Sequence, residues 1–437
     1  MDKFYDREKE IAFLRSVEEG SFESARMTYV IGRRRIGKTE LLTHVFTGER
    51  VLYFYLVKKS EPLLCEEFVD EIQNKLGVTV RGNMRRFQDI FGYLMDMSKE
   101  QQFTVIIDEF QEFNDINPSI YGSMQKIWDL NKNGSKINLF LCGSIYSLMN
   151  KIFCGSKQPL FGRATAGMKI YRFDIKTIKE ILNDYHPQYS SEDLLTFYMF
   201  TGGVAKYVDI LATAKAFSLK KIMDVVFSEN SFFLDEGRNM LIEEFGKDYG
   251  NYFSILSLIA SSKTSRTEIE SIMNISTGGF LDKLEHDFQL IKKIRPIFAK
   301  PGTKSVKYRI DDNFLSFWFR FIFKYRSLVE VKNFNYLRDI ITRDYKTYSG
   351  LILERYFREK IIAEENISDI GTYWEHGNKN EIDIIAINED AKWAIIAEVK
   401  RNRDNINLRE LEIKAANLVK QLPEYDIEYR GLSMEDM

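Results

Sequence analysis

Gly32-Arg33-Arg34-Arg35-Ile36-Gly37-Lys38-Thr39 fits the pattern G-x-x-x-x-G-K-[ST], and both of its flanks are those the pattern requires. Before it, Met27-Thr28-Tyr29-Val30-Ile31 reads as a buried strand. After it, Glu40-Leu41-Leu42-Thr43-His44-Val45-Phe46 spaces its apolar residues as a helix does. Strand, glycine loop and helix together predict a phosphate cradle. The two glycines let the backbone turn its N–H groups inward, and the helix N-terminus adds partial positive charge. Lys38 is expected at the β- and γ-phosphates and the Thr39 hydroxyl on Mg²⁺, with the nucleotide-binding stretch running from Gly32 to Glu40.

Such a site needs an acidic group at the end of a neighbouring strand. Phe103-Thr104-Val105-Ile106-Ile107 is an unbroken apolar and β-branched run, as expected of a strand covered on both faces, and it ends in Asp108-Glu109. Asp108 is the candidate metal ligand, and Glu109 the group that orients an attacking water. A third strand, Ile137 to Cys142, ends at Gly143-Ser144; Ser144 or Asn138 is a candidate γ-phosphate sensor.

Composition narrows the class. A chain of 437 residues suggests two to four domains. With 29% charged residues, 44% hydrophobic residues, only 7 prolines and a net charge of −2, neither disorder nor a globally basic nucleic-acid binder is indicated. Cys65, Cys142 and Cys154 are scattered, which suits reduced thiols better than a disulfide framework or zinc site. The four histidines have no ligand spacing, and His44 on the loop helix is expected to be packed. No apolar stretch approaches the ~18 residues of a membrane span, and the N-terminus is charged, so a cytoplasmic location without membrane contact is expected.

The combined motifs resemble the archaeal-type P-loop ATPases, a family near the AAA+ and STAND proteins. The resemblance rests on Phe4, Arg7, Glu8, Glu10 and Leu14, on the loop itself, on Asp108-Glu109-Phe110-Gln111, on Gly143-Ser144, on Gly162-Arg163-Ala164-Thr165 and on Gly202-Gly203-Val204-Ala205-Lys206-Tyr207. The family pattern often has proline at the position of Ala205. The resemblance implies ATP as ligand, Arg7 near the adenine, and Arg163 near the phosphates or acting as an arginine finger across a homo-oligomer interface.

From Asp174 to Lys247 the pattern is helical: Ile175 to Tyr185, Ser191 to Phe200, a helix opened by Gly202-Gly203, and Leu219 to Phe227. By resemblance this is a lid whose movement converts hydrolysis into work. Residues 251–323 look like a winged helix. Helices at Phe253 to Ala260 and Ser265 to Ile272 precede a candidate recognition helix from Ser276. The segment Phe288 to Ile310 then carries Lys292, Lys293, Arg295, Lys300, Lys304, Lys307 and Arg309 with no acidic residue, and Pro301-Gly302 sits at its tip. Such a wing suits backbone phosphates of DNA. The aromatic run Phe314 to Phe323 reads as a packing seam.

The last segment predicts a helix from Tyr348 to Ile362 containing Glu354, then strands Ile370 to Glu375, Glu381 to Ile387 and Trp393 to Lys400, a helix with Leu408, Leu411, Ala415 and Leu418 on one face, and a strand at Asp426 to Tyr429. Asp383, then Glu398 after fourteen intervening residues and Lys400 two beyond it, follow the D-x14-E-x-K arrangement of PD-(D/E)XK nucleases. Alternation along adjacent strands brings these three to one sheet edge. There two carboxylates can hold Mg²⁺ or Mn²⁺, Lys400 can activate a water, and Glu354 can complete the metal shell. The C-terminal domain of unknown function of many archaeal-type ATPases resembles this fold.

The expectation is therefore an α/β multidomain chain: a P-loop ATPase core at 1–173, a helical lid at 174–247, a winged helix at 248–330 and a nuclease-like domain at 331–437. Its expected activity is Mg²⁺-dependent ATP hydrolysis coupled to DNA binding or cleavage. The alternative is a STAND-type switch whose last domain is a binding module.

Overall fold

In the computed structural model, which describes residues 1, 3–48, 50–300, 302–303 and 305–437, the chain divides into two units with separate interiors. One spans residues 4–172; the other spans 173–437 together with 1–3. The first is built on five parallel strands, β1 (Arg26–Ile31), β2 (Val51–Tyr55), β3 (Phe103–Asp108), β4 (Ile137–Gly143) and β5 (Ala166–Lys169), in the order β2-β3-β4-β1-β5. Every position of β3 and β4 is buried, which is why their sequences run apolar without alternation. Alternate residues serve separate cores. Val105, Ile107, Leu139 and Leu141 pack on one face, and Ile106, Phe140 and Cys142 pack on the other with Leu41 and Leu42 of the loop helix.

Contrary to expectation, the acidic strand β3 is not the neighbour of the loop strand β1; β4 lies between them and pairs with both. At about 4.8 Å per strand, this opens roughly 10 Å between the ends of β1 and β3, room that Ser144 at the end of β4 partly fills. His44 departs from expectation too: it is exposed, and its ring stacks on Phe4 at 4.1 Å.

The second unit begins with helices Ile175–Tyr185, Ser191–Thr201, Ala205–Thr213, Leu219–Val226 and Phe233–Phe245. Their starts have local causes. Asp174 accepts from Thr177 N, and Ser190 and Asp193 form a capping box. Helices Tyr249–Ala260, Arg266–Met273 and Gly278–His286 follow, then the antiparallel hairpin of β6 (Ile291–Ile294) and β7 (Lys307–Ile310). Pro301 and Lys304, expected at the tip of this hairpin, lie outside the described residues. The aromatic run forms a short α-helix, Asn313–Phe317, continued by a π-helical turn, Trp318–Phe323.

The predicted helix around Glu354 is the second half of a 31-residue helix, Phe334–Glu364. Beyond it β8 (Asp369–Glu375), β9 (Lys379–Asn388), β10 (Trp393–Val399) and β11 (Asp426–Leu432) form a sheet in the order β11-β10-β9-β8. β9 runs antiparallel to both neighbours, whereas β11 is parallel to β10 and reached through helix Leu408–Val419. Leu411, Ala415 and Leu418 of that helix cover Ile385, Ile387 and Ile396. Among the described residues, no helix is long and apolar enough to cross a membrane.

Candidate functional site

The glycine loop joins the C-terminal end of β1 to the helix Lys38–Val45. Gly37 has φ 92° and Arg35 φ 71°, so the loop turns twice through left-handed backbone. Gly32 is needed for a different reason: a Cβ there would lie 2.9 Å from the carbonyl oxygen of Ile170 beyond β5. Lys38 is buried and reaches back across the loop, donating to Gly32 O at 2.8 Å and Arg33 O at 2.9 Å. Burial pushes its ammonium below the usual lysine range, which favours an anionic partner in the loop. Ile36 is buried, while Arg35 and Glu40 are exposed.

Thr39 and Asp108 meet: Thr39 Oγ1 donates to Asp108 Oδ2 at 2.6 Å. The same oxygen accepts the Tyr53 hydroxyl at 2.8 Å, and Asp108 Oδ1 accepts Glu109 N at 2.9 Å. Glu109 itself has φ 55°, a left-handed conformation that is uncommon for a glutamate and common at working sites. Its Oε2 accepts from Ser144 Oγ and Gln111 Nε2, both at 2.6 Å, and Arg34 Nε reaches Ser144 Oγ at 3.4 Å. A hydroxyl and a carboxylate converging at one point suit Mg²⁺, so Thr39 and Asp108 are the residues that would hold it. The metal would supply charge neutralisation at the phosphates.

Three residues here were given no role at the site from sequence. Tyr53 and Gln111 are the partners that fix Asp108 and Glu109. The buried Cys142 lies close enough that burial and the charge of Asp108 together hold its thiol well above the usual range. Gln111 was visible within Asp108-Glu109-Phe110-Gln111, but its role depends on the turn at Glu109. Asn138 does not meet its expectation as a γ-phosphate sensor. It sits at the opposite end of β4 from Ser144, fully buried and donating to Thr104 Oγ1 at 3.2 Å, so it has no access to a phosphate at the loop.

Arg7 lies where the loop opens. It is buried, with φ 82°, and donates to Tyr171 O at 2.6 Å just past β5. Arg163 does not join it. Thr165, two residues on, bonds Met27 O at the start of β1, and Arg163 pairs with Asp129 Oδ2 at 3.4 Å. At about 3.3 Å per residue, the strand steps from Met27 to Gly32 put roughly 16 Å between Arg163 and the loop. It therefore does not approach phosphates held by its own loop.

These features identify the first unit. A family described as an ATPase domain predominantly from Archaea matches residues 4–211, and a family described as Archaea bacterial proteins of unknown function matches residues 318–415. The chain carries an archaeal-type ATPase domain. This ATPase is 28% identical over 407 residues to an uncharacterised protein of Methanocaldococcus jannaschii, covering 91% of this chain and 87% of the relative. It is also similar in fold to the Walker-type ATPase of Pyrococcus abyssi, with TM-score 0.53 and 17% identity over 72% of this chain and 96% of that one.

The second constellation of the ATPase lies on the C-terminal sheet. Pairing of β9 with β10 ends at Ile384 and Ala397, and Asp383 Oδ2 takes over by accepting Val399 N at 2.8 Å. Lys400 Nζ lies 3.6 Å from Asp383 Oδ2 and 3.3 Å from Glu398 Oε1, so the three predicted residues do gather at one edge. Lys414, missed from sequence, reaches the same Glu398 oxygen at 3.2 Å. Burial pushes the Glu398 carboxyl up, but Lys400 and Lys414 hold it below the usual range. Glu354 is placed differently from the expectation. Among the described residues no three acidic, histidine or cysteine side chains are set to hold a metal ion together, so Glu354 does not complete a shell with Asp383 and Glu398. Burial, reinforced by the charge of Asp383, pushes its carboxyl up to about 8 against the pull of Arg309 and Arg358. Among the described residues, Asp383 and Glu398 each keep one oxygen without a hydrogen bond.

Proposed function

We propose that the ATPase hydrolyses ATP with Mg²⁺ at the Lys38, Thr39, Asp108 and Glu109 site, and that the nucleotide cycle serves DNA binding or cleavage by the C-terminal half. The observation that carries the first part is the junction of Thr39 Oγ1 and Asp108 Oδ2, with Glu109 clamped beside it. Lys38 neutralises the phosphates as charge moves onto them. Glu109, with Oε2 occupied by two donors, presents its other oxygen to a water and holds it in line with the γ-phosphate. Lys38→Ala is expected to remove nucleotide binding. Glu109→Gln is expected to retain binding while hydrolysis drops at least about 100-fold, the scale of a lost general base. Normal turnover by folded Glu109→Gln protein would refute the water-positioning role.

The second part is supported by the gathering of Asp383, Glu398 and Lys400 at a strand edge. Nicking of supercoiled DNA with Mg²⁺ or Mn²⁺ should disappear in Asp383→Ala. The second cation on Glu398, Lys414, favours the alternative in which this domain binds without cutting. Retained DNA affinity with no nicking under either metal would select that reading, in which nucleotide state acts as a switch.

A further inference from the structure

The hairpin β6–β7, expected to hold its cations out to solvent, turns one face to the C-terminal sheet. Its register pairs Lys292 with Arg309 and Ile294 with Lys307, so these four share a face, whereas Ile291, Tyr308 and Ile310 are buried on the other. Among the described residues of the hairpin, only Lys293, Arg295 and Lys300 are cations exposed without an ion pair; Lys292 is exposed but sits 2.9 Å from Asp311. Lys307 Nζ lies 2.8 Å from Glu381 Oε1 on β9 and 4.5 Å over the Trp374 ring. The hairpin is held there by its connecting segment. Ile297 enters the core of the C-terminal sheet beside Tyr373 and Ile382, and its N–H donates to Thr372 O at 2.8 Å.

This docking carries Arg309 to the neighbourhood of Glu354, whose carboxyl also senses Asp383. Two residues beyond Lys307 on the same face of β7, Arg309 lies close enough to Glu354 and Arg358 of the long helix to interact with their charges. The long helix closes the other side: Arg355 Nη2 donates to Ile310 O at 2.6 Å and Arg358 Nη2 to Asp383 O at 3.1 Å. The side chain of Arg309 makes no hydrogen bond or ion pair among the described residues, although the buried Glu354 carboxyl lies close enough to attract it, and its Nε is sealed from water without an acceptor. The Nε of Arg358 is in the same condition. A buried donor left unpaired costs about 1–3 kcal/mol, more when it is charged, and an anion removes that deficit. The planar fork of a guanidinium matches phosphate oxygens in particular.

We infer that Arg309 and Arg358 form a seat for a DNA phosphodiester beside Asp383, Glu398 and Lys400, so that the hairpin lends a phosphate-binding residue to the C-terminal site. This rests on the reading of that site as one that acts on DNA.

The test uses the full chain with a fluorescently labelled DNA duplex, in EDTA and without nucleotide, over a salt series. Arg309→Ala should weaken binding about tenfold and reduce the slope of log affinity against log salt by about 1, as for one lost phosphate contact. Arg309→Lys should keep the slope while losing part of the affinity, because charge remains without the fork. Both variants are to melt within the wild-type transition, so that loss of fold is not read as loss of contact. Unchanged affinity and slope in both variants would overturn the seat. Nicking that rises in Arg309→Ala would also overturn it, marking the guanidinium as a plug. So would wild-type protein that takes inorganic phosphate through Arg309 but not DNA. Asp383→Ala separates the two ideas: nicking that persists in it defeats the cleavage reading while leaving the Arg309 binding result standing.

Discussion

Glu109 shows what a single backbone angle does. With φ 55° the chain leaves β3 sharply, and Gln111 folds back so that its Nε2 lies 2.6 Å from the very oxygen that Ser144 also binds. Two donors on Oε2 restrict the carboxylate to one rotamer and one free oxygen. Gln111→Ala is therefore expected to lower kcat for ATP about tenfold, the usual scale for losing an orienting partner, with KM changed less than about twofold. Steady-state kinetics checks this; a raised KM at unchanged kcat would assign Gln111 to nucleotide binding instead. Asp108 and Glu109 were legible in the sequence because an acidic pair that ends an apolar run downstream of a glycine loop has one chemical use above all, at the metal and the water. Gln111 and Tyr53 were not, since their roles exist only once a turn and a cross-strand neighbour place them.

At the scale of elements, local signals set the starts of helices and tertiary contacts set their fates. Ser190, Ser265 and Asp174 mark helix starts that sequence reading located to within a residue or two. Helix Phe233–Phe245 has no side-chain cap at its start, and its polar residues mask the helical period, so it was not legible. The aromatic run against which it packs makes it a half-buried element. Gly237 on this helix has no room for a side chain: a Cβ there would stand 2.3 Å from the Trp318 indole. Trp318 is itself fixed, buried and donating Nε1–H to Leu234 O at 3.2 Å. Gly237→Ala is expected to destabilise the second unit by about 1–3 kcal/mol through overpacking, despite the better helix propensity of alanine. Denaturant midpoints at constant m-value provide the measurement; a stabilised variant would mean that the indole shifts freely.

The whole molecule divides into two units with separate interiors, and this has a thermodynamic consequence. Calorimetry is expected to resolve two transitions. ATP added to Glu109→Gln protein should raise the one belonging to 4–172, by about 2.7 kcal/mol at a hundredfold excess over Kd. Lys38→Ala should abolish that shift; a single transition raised as one would show the units to be coupled. The sequence by itself determined the glycine loop, the acidic strand end, the helical segment after it and the D-x14-E-x-K spacing, because each depends on residues close along the chain or on a periodicity that local geometry enforces. Only the tertiary structure decided that β4 separates β1 from β3, that Arg163 stands at the far end of the strands from the loop, that Glu354 is buried where the charge of Asp383 acts on it, and that the basic hairpin meets the C-terminal sheet through Lys307. Those outcomes depend on strand order and on which faces bury together, and long-range packing sets both.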